Sequence, residues 1–145
     1  MNWKAEATEK LQKYSAMQMA VKNLPLEFRR LDEEAKALKA VRTDLLPSRA
    51  ISRREDQLLN NIMCRQELEH ELESAKLWIK STEAALGILL PEERKLLFRL
   101  YIRPDPEGIE GLCGQLGVEK SSVYRKREQA LRKFTLALYG GEQRN

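Results

Sequence analysis

From Arg53 to Leu86 the chain carries no glycine and no proline, and apolar residues return every three or four positions at Leu58, Ile62, Leu68, Leu72, Ala75, Ile79 and Leu86. That interval is the repeat of one helix face. A helix of this reach spans roughly 50 Å at about 1.5 Å per residue. It cannot bury its stripe against itself. It needs the preceding helices folded back antiparallel, a second copy of the chain, or both. Arg65, Glu69 and Lys76 are expected to break the heptad. No run alternates strictly over strand length, so the fold class expected is all-α.

The segments before the long helix fit this reading. Asn2 to Asn23 reads as a helix through Leu11, Tyr14, Met17 or Gln18, and Val21. Leu24-Pro25 interrupts it, because a residue before proline avoids helical backbone angles. The pattern resumes at Phe28, Leu31, Ala35, Leu38 and Val41, so Pro25 either starts a second helix or kinks a continuous one. Thr43 to Arg53 is the linker, with Ser52 and Glu55 spaced as a capping box for the long helix.

The formal net charge is +4, and its placement says more than its size. From Glu119 onward seven basic residues (Lys120, Arg125, Lys126, Arg127, Arg132, Lys133, Arg144) face three acidic ones (Glu119, Glu128, Glu142), so the end of the chain holds the whole excess. A neutral body with a cationic end suits a polyanionic partner, whose condensed counterions such a patch displaces. A solvated basic helix face gives the same signal. Cys64 and Cys113 lack metal-ligand spacing and read as reduced thiols of a cytoplasmic protein. The N-terminus has no apolar core of a signal peptide, and no apolar stretch is long enough for a membrane span.

Beyond Gly87 the texture changes. Leu90-Pro91-Glu92-Glu93-Arg94 opens a helix, with proline at the first position and glutamates at the positive end of the dipole. Leu96, Leu97, Leu100 and Tyr101 form its apolar face, and Arg103-Pro104-Asp105-Pro106 ends it. Gly108 to Leu116 makes a short helix, Gly117 a turn, and Glu119 or Lys120 to Leu138 the last helix, closed by Gly140-Gly141. Leu112, Cys113, Leu116, Gly117, Val118 and Val123 have helix-turn-helix spacing. Cys113 is small enough for a close crossing, Gly117 tolerates a left-handed turn, and Leu112, Leu116, Val118 and Val123 are expected to point inward. Lys120, Ser121, Ser122, Tyr124 and Arg125 then stand at the exposed start of the second helix, the part that enters a major groove in such motifs. Arginine pairs bidentately with guanine and serine contacts bases or phosphates. Lys126, Arg127, Arg132 and Lys133 are expected on phosphates, where they position without reading sequence.

Leu90 to Arg94, Leu112 to Val118, Ser122-Val123 and Ala130 to Lys133 together resemble the fourth region of sigma-70-type transcription factors. The ending from Ser122 to Phe134, closing at Ala137-Leu138-Tyr139-Gly140, is similar to ArpU-type and RinA-type phage late regulators, which share a sigma-like C-terminal domain. The resemblance covers Leu90 to Gly141. It implies sequence-specific binding to double-stranded promoter DNA and activation of late or packaging genes. Gly111 and Gly114 depart from the family pattern and weaken their helix by about 1 kcal/mol each relative to alanine. Arg127 stands where sigma factors usually bury a leucine. Sigma regions two and three are missing, which argues against a complete sigma factor.

The resulting expectation is an N-terminal helical hairpin with coiled-coil character over residues 1–88, for interaction or homodimerisation. A sigma-70 region 4-like helix-turn-helix follows over 89–141, and then a tail, 142–145. The alternatives are a sigma-like adaptor that binds RNA polymerase or another sigma factor, and a small terminase-like DNA-packaging subunit. No enzyme, metal site or cofactor is expected. His70 lies among Glu67, Glu69, Glu71 and Glu73 without a second histidine at i+4, which reads as a solvated acidic face. Glu92 and Glu93 point about 100° apart on a helix and do not converge on one atom. Ser121 and Ser122 have no histidine base nearby. Trp3 and Trp78 read as packing anchors.

Overall fold

The computed structural model describes residues 2–140, and these form helices without any strand. The helices are α1 Trp3–Gln12, α2 Tyr14–Ala40, α3 Ser48–Ile88, α4 Pro91–Leu97, α5 Gly108–Leu116 and α6 Lys120–Tyr139, with a π-helical turn over Phe98–Ile102 between α4 and α5. Gly141, Arg144 and the expected tail at 142–145 lie outside the described residues.

The breaks near the N-terminus differ from the sequence expectation. Pro25 sits inside α2, and the helix is interrupted at Lys13 instead. The cause is a competing donor. The Trp78 indole Nε1 donates to the Lys10 carbonyl at 3.0 Å, the acceptor that the Tyr14 N–H would use in a continuous helix. The Lys10 ammonium lies 4.3 Å from the centroid of the same ring.

The start of α3 also moves. It begins at Ser48, directly after Pro47, whose carbonyl accepts from Ala50 at 2.9 Å and Ile51 at 3.1 Å. Ser52 therefore lies inside the helix, and the expected Ser52–Glu55 capping box does not form a helix start. By contrast α4 opens as expected. Pro91 occupies its first turn, and Glu93 Oε1 accepts from the Leu90 N–H at 3.0 Å.

The helices belong to two compact units: residues up to Gln18 together with those from Leu77 onward, and Met19–Lys76. Within Met19–Lys76, α2 and α3 are joined by residues 41–47 as an antiparallel hairpin. The α2 seam runs through Val21, Leu24, Phe28, Leu31, Ala35 and Leu38, all buried or half-buried at alternating steps of three and four. On α3 the matching seam is Ile51, Arg54, Leu58, Asn61, Arg65, Leu68, Leu72 and Ala75. The heptad is thus continuous once its polar members are counted. Arg65 is part of the seam, with Nη1 3.7 Å from Asp32 Oδ1, whereas Glu69 and Lys76 lie outside it, exposed. Ile62, expected in the stripe, is exposed, and Asn61 takes its place.

Asn61 is 1% exposed, and its Nδ2 donates to the Leu31 carbonyl at 2.8 Å while its Oδ1 is enclosed without a partner. A single buried asparagine in a heptad seam specifies register at a cost in stability. Asn61→Leu is therefore expected to raise the denaturation midpoint of the protein, by about 1 kcal/mol of stability. It should also broaden the amide resonances of Met19–Lys76 as register relaxes. A lower midpoint with sharp resonances would show that the asparagine stabilises the hairpin outright.

The other unit is built on α6. Ala130, Leu131 and Phe134 are fully buried, with Ala7 and Leu11 of α1, Ala85 of α3, Leu89, Leu97 of α4, and Ile102. Trp3, Tyr14, Leu86, Tyr101, Ala137 and Leu138 close the edges. Earlier on the same helix, Val123 joins a second cluster with Leu96 and Leu112, flanked by Leu100, Ile109, Cys113 and Val118. The N-terminal helix α1 is therefore part of the same compact unit as α4 to α6.

Candidate nucleic-acid interface

The joint between α5 and α6 is made by backbone chemistry. Gly117 ends α5 in the left-handed region at φ +66°, where a side chain would cost about 1–2 kcal/mol. Its N–H and that of Val118 both donate to the Cys113 carbonyl, at 2.9 and 3.2 Å. This wrap swings Val118 toward Leu112 and Val123. It also turns Leu116 outward: expected to point inward, it is 49% exposed. Val118, and not Leu116, packs against the Leu96, Leu112 and Val123 cluster.

The two glycines inside α5 have different reasons. A Cβ on Gly111 would lie 2.7 Å from Glu107 Cβ, so only glycine allows the preceding turn to pack this closely. A Cβ on Gly114 meets nothing within 4 Å. Gly114→Ala is expected to stabilise the protein by about 1 kcal/mol through helix propensity. Gly111→Ala should destabilise it, both changes being measured by chemical denaturation.

Helix α6 starts at Lys120 after Glu119, whose backbone is extended and whose side chain caps nothing. Its buried positions, Val123, Ala130, Leu131, Phe134 and Thr135, fix which face remains outside. Lys120, Ser121, Arg125 and Lys126 are exposed, Ser122 is half-buried, and Tyr124 is 38% exposed. Among the described residues, Lys120, Arg125 and Lys126 make no ion pair or hydrogen bond. These cations keep their full charge available to a polyanion.

The remaining three basic residues of the expected site are engaged by the protein. Arg127 is half-buried, its guanidinium carbon is 4.9 Å from the Tyr124 ring centroid, and its Nε is enclosed without a partner. Its positive charge also acts on the Tyr101 phenol. Burial, the larger influence, holds the Tyr101 phenol above its ordinary range against the pull of that guanidinium. Arg132 Nη2 is 3.8 Å from Glu128, and its guanidinium lies 5.3 Å from the Trp3 centroid. Lys133 Nζ is 3.1 Å from Glu93 Oε1 and 3.0 Å from Oε2, so the residue that caps α4 also holds α6. Glu128 bridges in the same way, pairing with Lys4 of α1.

Two cations not expected from the sequence share a groove with Lys126. Lys95 and Arg99, four residues apart, line a groove of about 400 Å³ with Lys126, Glu92, Leu96 and Leu116. Their signal was the i, i+4 spacing of two basic residues beside the Leu96–Leu97–Leu100 face.

The carboxylates that tie the unit together have a pH signature. Hydrogen bonding from Lys4 is the largest influence on Glu128 and holds its carboxyl below the usual range. Burial alone raises Glu93, but the Leu90 N–H and the Lys133 ammonium outweigh it, and the net shift is also downward. A depressed folded value stabilises above the ordinary glutamate range and is lost as pH falls through the folded value. Stability measured by thermal melting should therefore change little between about pH 7 and 5 and fall below about pH 4.3. In Glu93→Gln that acid loss should be smaller, and an unchanged acid limb would remove the assignment.

Comparison of the chain with protein-family models, with curated proteins and with solved structures found no match to any of them. Among the described residues no group of three or more His, Cys, Asp or Glu is placed to hold a metal ion. No helix among them is long and apolar enough to cross a membrane.

Proposed function

We propose that the protein is a sequence-specific double-stranded DNA-binding regulator of the phage or prophage type, in which α5, Gly117 and α6 act as a helix-turn-helix. The observation that carries this reading is the row of unpaired cations and hydroxyls at the start of α6: Lys120, Ser121, Arg125 and Lys126 are exposed, while the opposite side of the helix is fully buried. Arg125 suits bidentate pairing to guanine and Ser121 suits a base edge or a phosphate. Lys120 and Lys126 suit phosphates, where Lys95 and Arg99 extend the cationic surface. Arg132 and Lys133 contribute positive potential while holding Glu128 and Glu93. The chemistry required is recognition, not catalysis.

The sigma region 4-like reading rests on the sequence resemblance and on two features that agree with it: the left-handed Gly117 joint and the Leu96–Leu112–Val123 cluster beneath it. Activation of late genes follows from the resemblance. The α2–α3 hairpin is assigned to self-association, because Leu59, Ile62 and Met63 remain exposed along α3. Light scattering tests this: a dimer supports it and a monomer removes it. The test of the main reading is selection from a pool of randomised duplexes, followed by competition with unselected DNA at several salt concentrations. The reading requires a consensus sequence and a preference of at least about a thousandfold over bulk DNA. Equal affinity for all duplexes would end it.

A further inference from the structure

We infer that Tyr124 reads the methyl group of a thymine, and that Arg127 is the positioning residue that holds its ring for this contact. The inference rests on the DNA-binding reading above and deepens it. Tyr124 lies one turn into α6, three positions after Ser121 and directly before Arg125, and the residue is 38% exposed. Its hydroxyl makes no hydrogen bond among the described residues, so the group is not held by its polar end. It is held instead by one ring face, over which the Arg127 guanidinium lies at 4.9 Å. Arg127 is itself half-buried, with its Nε enclosed by the protein. A guanidinium anchored at its Nε and laid on an aromatic face is less free to reach a phosphate than the exposed Lys120, Arg125 and Lys126.

The result is a flat apolar surface, presented to solvent at the leading end of a cationic helix and restrained from behind. In a major groove the apolar feature that distinguishes one base is the thymine C5 methyl. A cytosine presents no such group, and uracil differs from thymine by this methyl alone. Contact with one methyl is worth about a fourfold change in affinity, taking the value for one buried carbon unit.

The test uses the full-length protein and a pool of duplexes selected by it. The pool is amplified in parallel with thymidine or with deoxyuridine triphosphate, and affinities for both are measured across a salt series. Wild-type protein is expected to bind the thymine pool about fourfold more tightly, with the same salt slope for both. Tyr124→Ala and Arg127→Met should lose the discrimination while keeping the slope, and Arg127→Lys, which keeps a cation for the ring face, should recover part of it. Tyr124→Phe should keep it in full. Equal thymine-to-uracil ratios in wild type and Tyr124→Ala would overturn the inference while leaving DNA binding intact. Loss of affinity in Arg127→Met with an unchanged ratio would reduce Arg127 to a packing residue and overturn its positioning role. Failure of wild-type protein to bind any duplex would remove the underlying reading instead.

Discussion

Replacing Phe134 with alanine is expected to destabilise the α6-containing unit by about 3–5 kcal/mol, the largest effect of any single substitution considered. Phe134 is fully buried, and its cluster draws on α1, α3, α4 and the π-helical turn as well as α6. Removing the ring leaves a cavity whose walls, Leu11, Leu97 and Leu131 among them, are each held by different helices and cannot collapse together. Trp3 borders that cluster, and Trp78 belongs to the same unit, so tryptophan fluorescence during chemical denaturation reports the loss directly. Leu136→Ala, at an exposed position on the same helix, should change stability by no more than about 0.5 kcal/mol. A Phe134→Ala loss no larger than that of Leu136→Ala would mean that α1 does not pack on α6.

The second large effect concerns DNA. Combined replacement of Lys120, Arg125 and Lys126 by alanine should leave stability unchanged, because none of the three is paired in the free protein. Binding to a selected duplex should weaken by at least about fivefold, the lower end expected for loss of one base-reading arginine. The dependence of log affinity on log salt should become shallower by about 0.9 for each phosphate contact removed. Lys133→Ala makes the contrast. Its ammonium is already paired with Glu93, so it should change binding less than Lys120→Ala while slightly lowering stability. Equal binding losses in the two variants would show that the Glu93 pair opens to release Lys133 to the DNA.

Much of the helical order was legible because it is local. Pro91 and Glu93 start α4, Gly117 and Gly140 end α5 and α6 in left-handed backbone, and the apolar repeat of α3 is long enough to read without a partner. What escaped depends on contacts distant in sequence. The break at Lys13 is caused by the Trp78 indole, 68 residues away from the carbonyl it takes. Asn61 reads as a surface residue until the Leu31 carbonyl is brought to it, and Ile62 reads as core until the helix phase is set by that bond. In the cationic segment, charge and exposure were readable from residue type, whereas engagement was not. Arg127, Arg132 and Lys133 look equivalent to Lys120 and Arg125 in the sequence, and only their neighbours Tyr124, Glu128 and Glu93 separate them. Leu116 illustrates the same limit, since a hydrophobic residue at a helix end faces inward or outward according to how the following turn wraps.

The central claim is that the leading end of α6 is the surface that meets duplex DNA. It is tested most directly by following backbone amide resonances while a selected duplex is titrated into the protein. The largest shifts are expected at Lys120, Ser121, Tyr124, Arg125 and Lys126, with smaller ones at Lys95 and Arg99 and little change in Met19–Lys76. Shifts confined to the α2–α3 hairpin, or spread evenly over every lysine and arginine in the chain, would contradict it.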